Sequence, residues 1–315
     1  MMETTSIYQD MAQRTGGSVY IGVVGPVRTG KSTFVKRFME TLVLPHIENS
    51  YRRDRARDEL PQSGAGRTIM TAEPKFVPEE AVELRLAEGA AFSVRLVDCV
   101  GYMVDSAVGQ FEDLSPRMVM TPWFDHEIPM TEAAEIGTRK VITDHATVGI
   151  VVTTDGTITD IPREDYREAE ERVIRELQDI GKPFVVLVNS AQPEDPRAAA
   201  AAAEIQTRYG VTCRCVNCLT LTEEDIGDIL RDLLYQFPLR ELDVFLPEWV
   251  DALPGEHPIR SGLYQEIGEA ASQLTRICAL PPCLAALSQG ENIESAAAST
   301  IDLGNGVAQV EIRLP

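Results

Sequence analysis

Short apolar segments alternate along this chain with longer stretches in which apolar residues recur at helical spacing. The apolar segments predict buried strands at residues 19–24, 92–97, 148–153, 183–189 and 211–218. The stretches with helical spacing predict helices at residues 32–44, 163–180, 197–209 and 225–235. Strands separated by helices favour an α/β fold with a mostly parallel sheet that is covered by helices on both faces.

The alternation weakens after residue 237, where four prolines (Pro238, Pro247, Pro254 and Pro258) indicate a linker. Residues 260–280 have helical spacing, and residues 307–314 resemble a strand for which the sequence offers no evident partner. We therefore predict a first domain over residues 1–237, and a linker with the start of a smaller second domain over 238–315. The unpaired strand also suggests a fragment of a longer protein. Two long loops, residues 46–71 and 101–131, are typical of functional or mobile segments.

The excess of acidic over basic residues makes some classes of binding partner unfavourable. The chain has 29 Lys and Arg residues against 49 Asp and Glu residues, a net charge of −20. Nucleic acid is an unfavourable partner for such a chain, because phosphate contacts need Lys and Arg. The sequence has no run of about 18 apolar residues and no signal peptide, and its six cysteines are too few for a disulfide scaffold. These features favour the cytoplasm.

The first predicted strand leads into a phosphate-binding motif. The pattern G-x-x-x-x-G-K-S is matched by Gly25, Pro26, Val27, Arg28, Thr29, Gly30, Lys31 and Ser32, with Thr33 in the helix that follows. The glycines allow backbone N–H groups to surround a phosphate, and the helix N-terminus adds a positive dipole end. Lys31 would contact the β- and γ-phosphates, and the Ser32 hydroxyl would bind Mg²⁺.

Two further positions belong to the same chemistry. Asp98 follows a buried strand and opens the pattern D-x-x-G, in which the carboxylate lies on the Mg²⁺ side and the Gly101 N–H meets the γ-phosphate. Between the two motifs, a loop threonine would complete the Mg²⁺ shell; Thr71 is the first choice and Thr68 the second. The alternative for Asp98 is an aspartate that only stabilises a turn, and the alternative for either threonine is an ordinary polar residue of the loop.

The base-reading motif of GTPases, N-K-x-D, is incomplete. The strand that ends at Val188 leads into Asn189, Ser190, Ala191 and Gln192, so the asparagine is present while the lysine and the aspartate are absent. A site without those hydrogen bonds loses its selectivity for guanine. Gln192 has a donor and an acceptor that suit the adenine edge, or it is a solvated loop residue. We predict ATP, with Mg²⁺, as the nucleotide.

The glutamine that orients the attacking water in Ras-like enzymes is absent as well, since Tyr102 occupies its position. Candidate charge-stabilising residues are Arg67, Arg139 and Lys140. Cys213, Cys215 and Cys218 lie along a predicted strand that would place the third on the opposite face. Buried structural cysteines are therefore favoured over a zinc site.

These motifs stand within longer strings that resemble one family, the stage IV sporulation protein A family. The strings are residues 21–34, 58–63, 71–76, 95–102, 116–118, 121–123, 132–140, 153–157 and 304–308. The resemblance implies a P-loop NTPase of the Ras-like (TRAFAC GTPase-type) class that binds and hydrolyses ATP. It assigns Lys31 to the phosphates, Asp98 to the Mg²⁺ side and Thr71 to γ-phosphate sensing. The family pattern has a second threonine where this chain has Ala72.

The resemblance also implies a cellular role. Members are cytoskeletal ATPases of the spore coat that self-polymerise on the outer forespore membrane, on the mother-cell side. A small amphipathic membrane-bound peptide and other coat proteins would be partners, through a C-terminal region that continues beyond residue 315. A chain that ends there would retain nucleotide chemistry but not normal localisation or assembly. Two alternatives remain open: a GTPase-type regulatory switch, and a structural coat protein whose nucleotide is not turned over.

Overall fold

A computed structural model describes residues 7–61, 74–85, 90–104, 106–107, 111–112, 115–290 and 292–315. The chain divides into two compact units, Met1–Leu233 and Leu234–Pro315. Within the described residues, no helix is both long enough and apolar enough to span a lipid bilayer.

The first unit contains seven α-helices and ten strands among its described residues. The helices are α1 (Ile7–Arg14), α2 (Lys31–Phe38), α3 (Ser50–Asp58), α4 (Met130–Lys140), α5 (Arg167–Ile180), α6 (Pro196–Tyr209) and α7 (Glu223–Tyr235). The strands are β1 (Ser18–Val24), β2 (Lys75–Arg85), β3 (Ala91–Asp98), β4 (Phe111–Glu112), β5 (Ser115–Pro116), β6 (Met118–Val119), β7 (Ile128–Pro129), β8 (Val148–Thr154), β9 (Phe184–Asn189) and β10 (Cys213–Val216).

Six of these strands form one sheet in the order β10-β9-β8-β1-β3-β2. All neighbours in it are parallel except β2, which runs antiparallel to β3 at the edge. Every residue of β8 and β9 is buried, so both faces of the sheet are covered at its centre. The predicted α/β fold with a mostly parallel sheet is confirmed, and the five predicted strands correspond to β1, β3, β8, β9 and β10.

Local signals set the limits of the helices. The side chain of Asp195 caps α6 by accepting a hydrogen bond from the Arg197 N–H, and Pro196 occupies the first turn. Gly181 ends α5 in the left-handed conformation, at φ +74°. The regular part of α2 is shorter than predicted, because a π-helical turn, Met39–Val43, follows it.

The two long loops predicted in this unit are partly structured. The first contains α3, whose N-cap Asn49 accepts a hydrogen bond from the Arg52 N–H. The second contains the short strand pairs β4–β5 and β6–β7 and the start of α4. The prediction of continuous loops over 46–71 and 101–131 is therefore wrong for these parts.

The second unit has a three-stranded sheet and three α-helices among its described residues. Its elements are β11 (Glu241–Phe245), α8 (Trp249–Ala252), α9 (Pro258–Ser272), α10 (Leu280–Leu287), β12 (Ser295–Asp302) and β13 (Val307–Arg313). The strand order is β11-β13-β12, with β13 parallel to β11 and antiparallel to β12. Leu263, Leu280, Ala308 and Val310 are among the residues of its apolar core.

Two predictions about this region are wrong. The final strand does have partners, since β13 is the central strand of the sheet. The proline-rich segment is not the linker predicted there, because it contains β11 and α8 and ends where α9 begins at Pro258. Proline is compatible with the first turn of a helix, so its presence there did not exclude regular structure.

Candidate functional site

The segment Gly25–Ser32, called the glycine loop below, connects β1 to α2 at the carboxyl edge of the sheet. Gly25 has φ +134°, and a Cβ there would overlap the carbonyl oxygen of Val152 on β8. Gly30 has φ +97°, and a Cβ there would overlap the side-chain amide of Asn189. Only glycine allows both close approaches, which is why the motif needs glycine at these two positions.

Lys31 begins α2 and is directed back into the glycine loop. Its side chain is buried, and its Nζ donates a hydrogen bond of 2.6 Å to the carbonyl oxygen of Pro26. The Thr29 hydroxyl donates to the same oxygen at 2.9 Å. Burial lowers the pKa of Lys31 to about 8, although the nearby Asp98 carboxylate acts in the opposite direction. The loop thus encloses an ammonium group that a bound phosphate would stabilise.

Asp98 is the last residue of β3 and is placed beside the glycine loop by strand pairing. In the register of β1 with β3, Asp98 lies opposite Val23, two residues before Gly25. Its carboxylate is buried and accepts a hydrogen bond from the Ser32 side chain, while Oδ1 has no hydrogen-bond partner. Burial raises the pKa of this carboxyl group above its usual range.

This pair of side chains fits Mg²⁺. A buried carboxylate oxygen without a partner, next to a serine hydroxyl, is the type of donor that a hard cation takes. No cluster of three or more His, Cys, Asp and Glu ligands occurs among the residues that the structure describes. Mg²⁺ is commonly held by only one or two protein oxygens together with substrate phosphates. Ser32 and Asp98 would be its protein ligands here.

Gly101 and Tyr102 bring the D-x-x-G segment onto the glycine loop. Gly101 has φ +97°, and a Cβ there would overlap the Gly25 carbonyl oxygen and the Lys31 ammonium. Tyr102 donates its N–H to the Gly25 carbonyl at 3.1 Å and accepts from the Val27 N–H at 2.8 Å. The two motifs that the sequence identified separately are therefore in direct contact.

Asn189 has an internal role at the end of β9. Its Nδ2 donates to the Thr29 carbonyl oxygen at 3.0 Å, and its Oδ1 accepts from the Cys218 N–H at 3.0 Å. The side chain is buried. Asn189 therefore connects the glycine loop to the segment after β10, and both polar ends of its amide are used within the protein.

The rest of the incomplete base motif is held by the loop after β8. The Ser190 hydroxyl donates to Asp155 Oδ2 at 2.6 Å, and the Thr157 hydroxyl donates to Asp155 Oδ1 at 2.6 Å. Thr157 Oγ1 also accepts from the Ala191 N–H at 2.9 Å. Gln192 is exposed beyond this network, and its N–H donates to Ser190 Oγ at 3.0 Å.

The sequence did not identify Asp155, Ser190 or Thr157 as site residues. The available signal was the string 153–157, which the family resemblance included without a role. Behind it, buried Thr153 donates to Glu170 at 2.6 Å, and Arg163 donates to the same carboxylate at 2.8 Å. The Glu170 carboxylate of α5 thus holds both the end of β8, through Thr153, and the turn before α5, through Arg163.

The remaining predicted residues are distributed differently. Thr68, Thr71 and Arg67 lie outside the described residues. Thr33 is in the first turn of α2, Val27 is buried, and Arg28 has a positive φ of 64°. Arg139 and Lys140 are in the last turn of α4, where the Lys140 ammonium lies 6.0 Å from the centre of the Trp123 ring.

The three clustered cysteines are structural in character. Cys213 and Cys218 are buried, Cys215 is half-buried, and burial raises the pKa of each thiol. Cys213 and Cys215 lie in β10 and Cys218 follows it, so the expectation of cysteines along one strand holds for the first two only. Burial therefore lowers the fraction of reactive thiolate at Cys213 and Cys218 near neutral pH.

Comparison with known proteins identifies the family over the whole chain. The family model described as "Stage IV sporulation protein A, ATPase domain" matches residues 2–238, and "Stage IV sporulation protein A, middle domain" matches 239–315.

Individual relatives carry the same description. The chain is 48% identical over 314 residues to the stage IV sporulation protein A of Bacillus subtilis (strain 168), and 48% identical over 314 residues to that of Bacillus anthracis. It is 44% identical over 308 residues to that of Clostridioides difficile (strain 630). These alignments cover 100%, 100% and 98% of this chain, but only 64%, 64% and 63% of the relatives. Because the two family models together match residues 2–315, this chain belongs to the stage IV sporulation protein A family.

Proposed function

We propose that this chain is a Ras-like P-loop ATPase that hydrolyses ATP to ADP and phosphate with Mg²⁺. The observation that carries the proposal is the convergence of Lys31, Ser32 and Asp98 on one buried loop. The sheet supports the Ras-like class, because the order β10-β9-β8-β1-β3-β2 has the phosphate loop after its central β1 and a single antiparallel edge strand. The matched ATPase-domain model supports the activity.

Each group of residues in the site has a separate role in the proposed hydrolysis. Backbone N–H groups of the glycine loop and the N-terminus of α2 bind and orient the phosphates. Lys31 exchanges its bond to the Pro26 carbonyl for one to the β- and γ-phosphate oxygens, where its charge stabilises the transferring group. Ser32 and Asp98 would hold Mg²⁺, and the bound ion would supply positive charge that neutralises the charge developing on the phosphate oxygens. Thr71 remains the proposed γ-phosphate sensor.

ATP is the proposed nucleotide for two reasons. The positions that recognise guanine in N-K-x-D motifs hold Ser190 and Gln192, and Ser190 is bonded to Asp155. A glutamine side chain offers one donor and one acceptor direction, which matches N1 and N6 of adenine, whereas guanine N1 and N2 both donate.

The family supplies the cellular part of the proposal. We propose that nucleotide turnover drives self-assembly of a spore-coat base layer on the outer forespore membrane, in the mother-cell cytoplasm. A small amphipathic membrane-bound peptide and other coat proteins are the proposed partners, by way of the family's C-terminal region. The net charge of −20 makes nucleic acid an unsuitable partner.

Phosphate release from ATP and from GTP tests the activity. The wild-type chain, Lys31→Ala and the control Lys36→Ala are assayed together, since Lys36 lies on the same helix with an exposed side chain. We expect release from ATP by the wild type and the control, and none by Lys31→Ala. Preference for GTP would indicate a regulatory switch. Nucleotide binding without release from either would indicate a structural ligand, and sedimentation with and without ATP then tests assembly separately.

A further inference from the structure

Tyr102 connects the glycine loop to the segment that carries Asp98. Its main chain makes two hydrogen bonds to the loop, with the carbonyl of Gly25 and the N–H of Val27. The preceding residue, Gly101, packs so closely against Gly25 and the Lys31 ammonium that no side-chain atom would fit. A displacement of Tyr102 therefore displaces the groups that surround Lys31.

The side chain of Tyr102 extends to a different part of the unit. It is only 2% exposed, belongs to the apolar core, and donates its hydroxyl to the Glu176 carboxylate on α5. Burial and the adjacent carboxylate both raise the pKa of Tyr102, so the phenol stays protonated as a donor. Its hydroxyl is therefore used by Glu176, and is not the group that orients water.

A second contact fixes the orientation of the ring. The Arg172 guanidinium lies 5.3 Å from the centre of the Tyr102 ring, a cation–π distance. Arg172 in turn donates two hydrogen bonds to Glu135 on α4, at 2.5 and 2.8 Å, and lies 3.7 Å from Glu176. The phenol is thus held between α4 and α5, whereas its backbone is held by the glycine loop.

We propose that Tyr102 is a positioning residue for phosphate transfer: its hydroxyl bond to Glu176 fixes Gly101 and the glycine loop around Lys31 in the geometry that hydrolysis requires. The inference rests on the proposed ATP hydrolysis and extends it to a residue at the position where Ras-like enzymes have glutamine. In this chain that position supplies rigidity through its neighbours rather than a contact with water. A misplacement of about 1 Å in a reacting group can reduce turnover by about a hundredfold.

The experiment compares Tyr102→Phe, Glu176→Gln, Glu176→Ala and the double variant Tyr102→Phe/Glu176→Ala. Phenylalanine keeps the ring and its contact with Arg172, and glutamine keeps an oxygen that can accept the hydroxyl. The matched control is Tyr209→Phe, because Tyr209 also donates to a glutamate of α5, Glu171, at 3.5 Å. For each chain, kcat and KM for ATP, thermal unfolding, and amide exchange of Val27 and Tyr102 are measured.

For Tyr102→Phe we expect kcat to fall by about tenfold while KM changes by less than about twofold. Glu176→Ala should lower kcat by the same factor as Tyr102→Phe, whereas Glu176→Gln should retain most of the activity. The double variant should have a kcat no lower than that of either single variant. Tyr209→Phe should keep the wild-type kcat. Exchange at Val27 and Tyr102 should accelerate by about tenfold only when the Tyr102–Glu176 bond is absent.

The possible failures are distinguishable. An unchanged kcat in Tyr102→Phe, or additive losses in the double variant, would overturn the positioning role while ATP hydrolysis stands. A wild type that releases no phosphate from ATP would refute the proposed activity. In that case amide exchange at Val27 and Tyr102 tests whether the Tyr102 hydroxyl holds the glycine loop. Wild-type exchange rates at these amides in Tyr102→Phe would contradict the inference.

Discussion

The side-chain amide of Asn189 lies against the carbonyl oxygen of Thr29, with a hydrogen bond of 3.0 Å between the end of β9 and the glycine loop. The other end of the same amide accepts from the Cys218 N–H. Three loops at the carboxyl edge of the sheet are therefore joined by a single buried side chain. The asparagine of the incomplete base motif keeps a structural purpose although the lysine and aspartate positions differ.

Asn189→Ala should lower the free energy of unfolding by about 1–3 kcal/mol, because it leaves the Thr29 carbonyl and the Cys218 N–H without their partner. Affinity for ATP should fall as well, since the glycine loop loses a support. Denaturant titration measures the first effect, and equilibrium binding of a fluorescent ATP analogue measures the second. A midpoint equal to that of the wild type would contradict the assigned role.

The depressed pKa of Lys31 predicts pH-dependent nucleotide binding. In the folded free chain the ammonium has a pKa of about 8, because it is buried. Phosphate oxygens favour the charged form, so the pKa of Lys31 is higher when nucleotide is bound. Between the pKa of Lys31 in the free chain and its pKa in the complex, nucleotide binding takes up a proton. The dissociation constant for nucleotide should therefore rise by up to about tenfold per pH unit above pH 8. Titrations from pH 7 to pH 9.5 measure this slope.

The stability of the free chain should respond in the opposite direction. An unfolded lysine has a pKa of about 10.4, so the unfolded chain holds more protons than the folded chain between about pH 8 and that value. The contribution of Lys31 to stability therefore increases as pH rises through this window. Lys36→Ala should retain both slopes and Lys31→Ala should lose both; a Lys31→Ala chain with wild-type slopes would show that another group titrates.

Asp98→Asn should separate activity from stability. The variant keeps the shape of the side chain but removes the charge proposed to bind Mg²⁺, so hydrolysis should fall by about a hundredfold, about 2.7 kcal/mol in activation free energy. Burial disfavours the carboxylate in the free chain, so the melting temperature should not decrease. The measurements are phosphate release across a Mg²⁺ titration and thermal unfolding. Equal turnover at every Mg²⁺ concentration would exclude Asp98 from the site.

Five strands of the six-stranded sheet were predictable, whereas its antiparallel edge strand β2 was not. Each residue of β8 and β9 is buried, and a continuous apolar run reports that directly. Edge strand β2 contains Pro78, Glu79 and Glu80, and its pairing with β3 is irregular between Val77 and Val82, which disrupts any alternation. In the second unit, β12 is Ala- and Ser-rich and largely exposed. Its hydrophobic pattern therefore did not predict a strand that pairs with β13.

In the candidate site, too, some residues could be predicted from the sequence and others could not. Lys31, Ser32 and Asp98 were predictable, because their spacing is a motif and adjacent parallel strands bring the motifs together. The bond between Tyr102 and Glu176 joins residues 74 positions apart. The Ser190–Asp155 bond depends similarly on the end of one strand meeting the loop after another. Such pairs have no local signal, since only the packed sheet determines which loops become neighbours.

A substitution at Gln192 tests which base the site accepts. Gln192→Asp restores the aspartate of the N-K-x-D motif, whose carboxylate can accept hydrogen bonds from both guanine N–H groups, whereas adenine N1 would then face a second acceptor. Gln192 is exposed and its loop is held by Ser190 and Thr157 through Asp155, so the fold should not change.

We expect the ratio of kcat/KM for GTP to that for ATP to rise by about tenfold in Gln192→Asp. Gln192→Asn is the matched control, because it has nearly the same shape without the charge, and it should leave GTP as poor a substrate as in the wild type. Competition between the two nucleotides in one assay measures the ratio directly. If Gln192→Asp and Gln192→Asn gave the same ratio, residue 192 would not contact the base, and the proposed role of Gln192 in choosing adenine would be refuted.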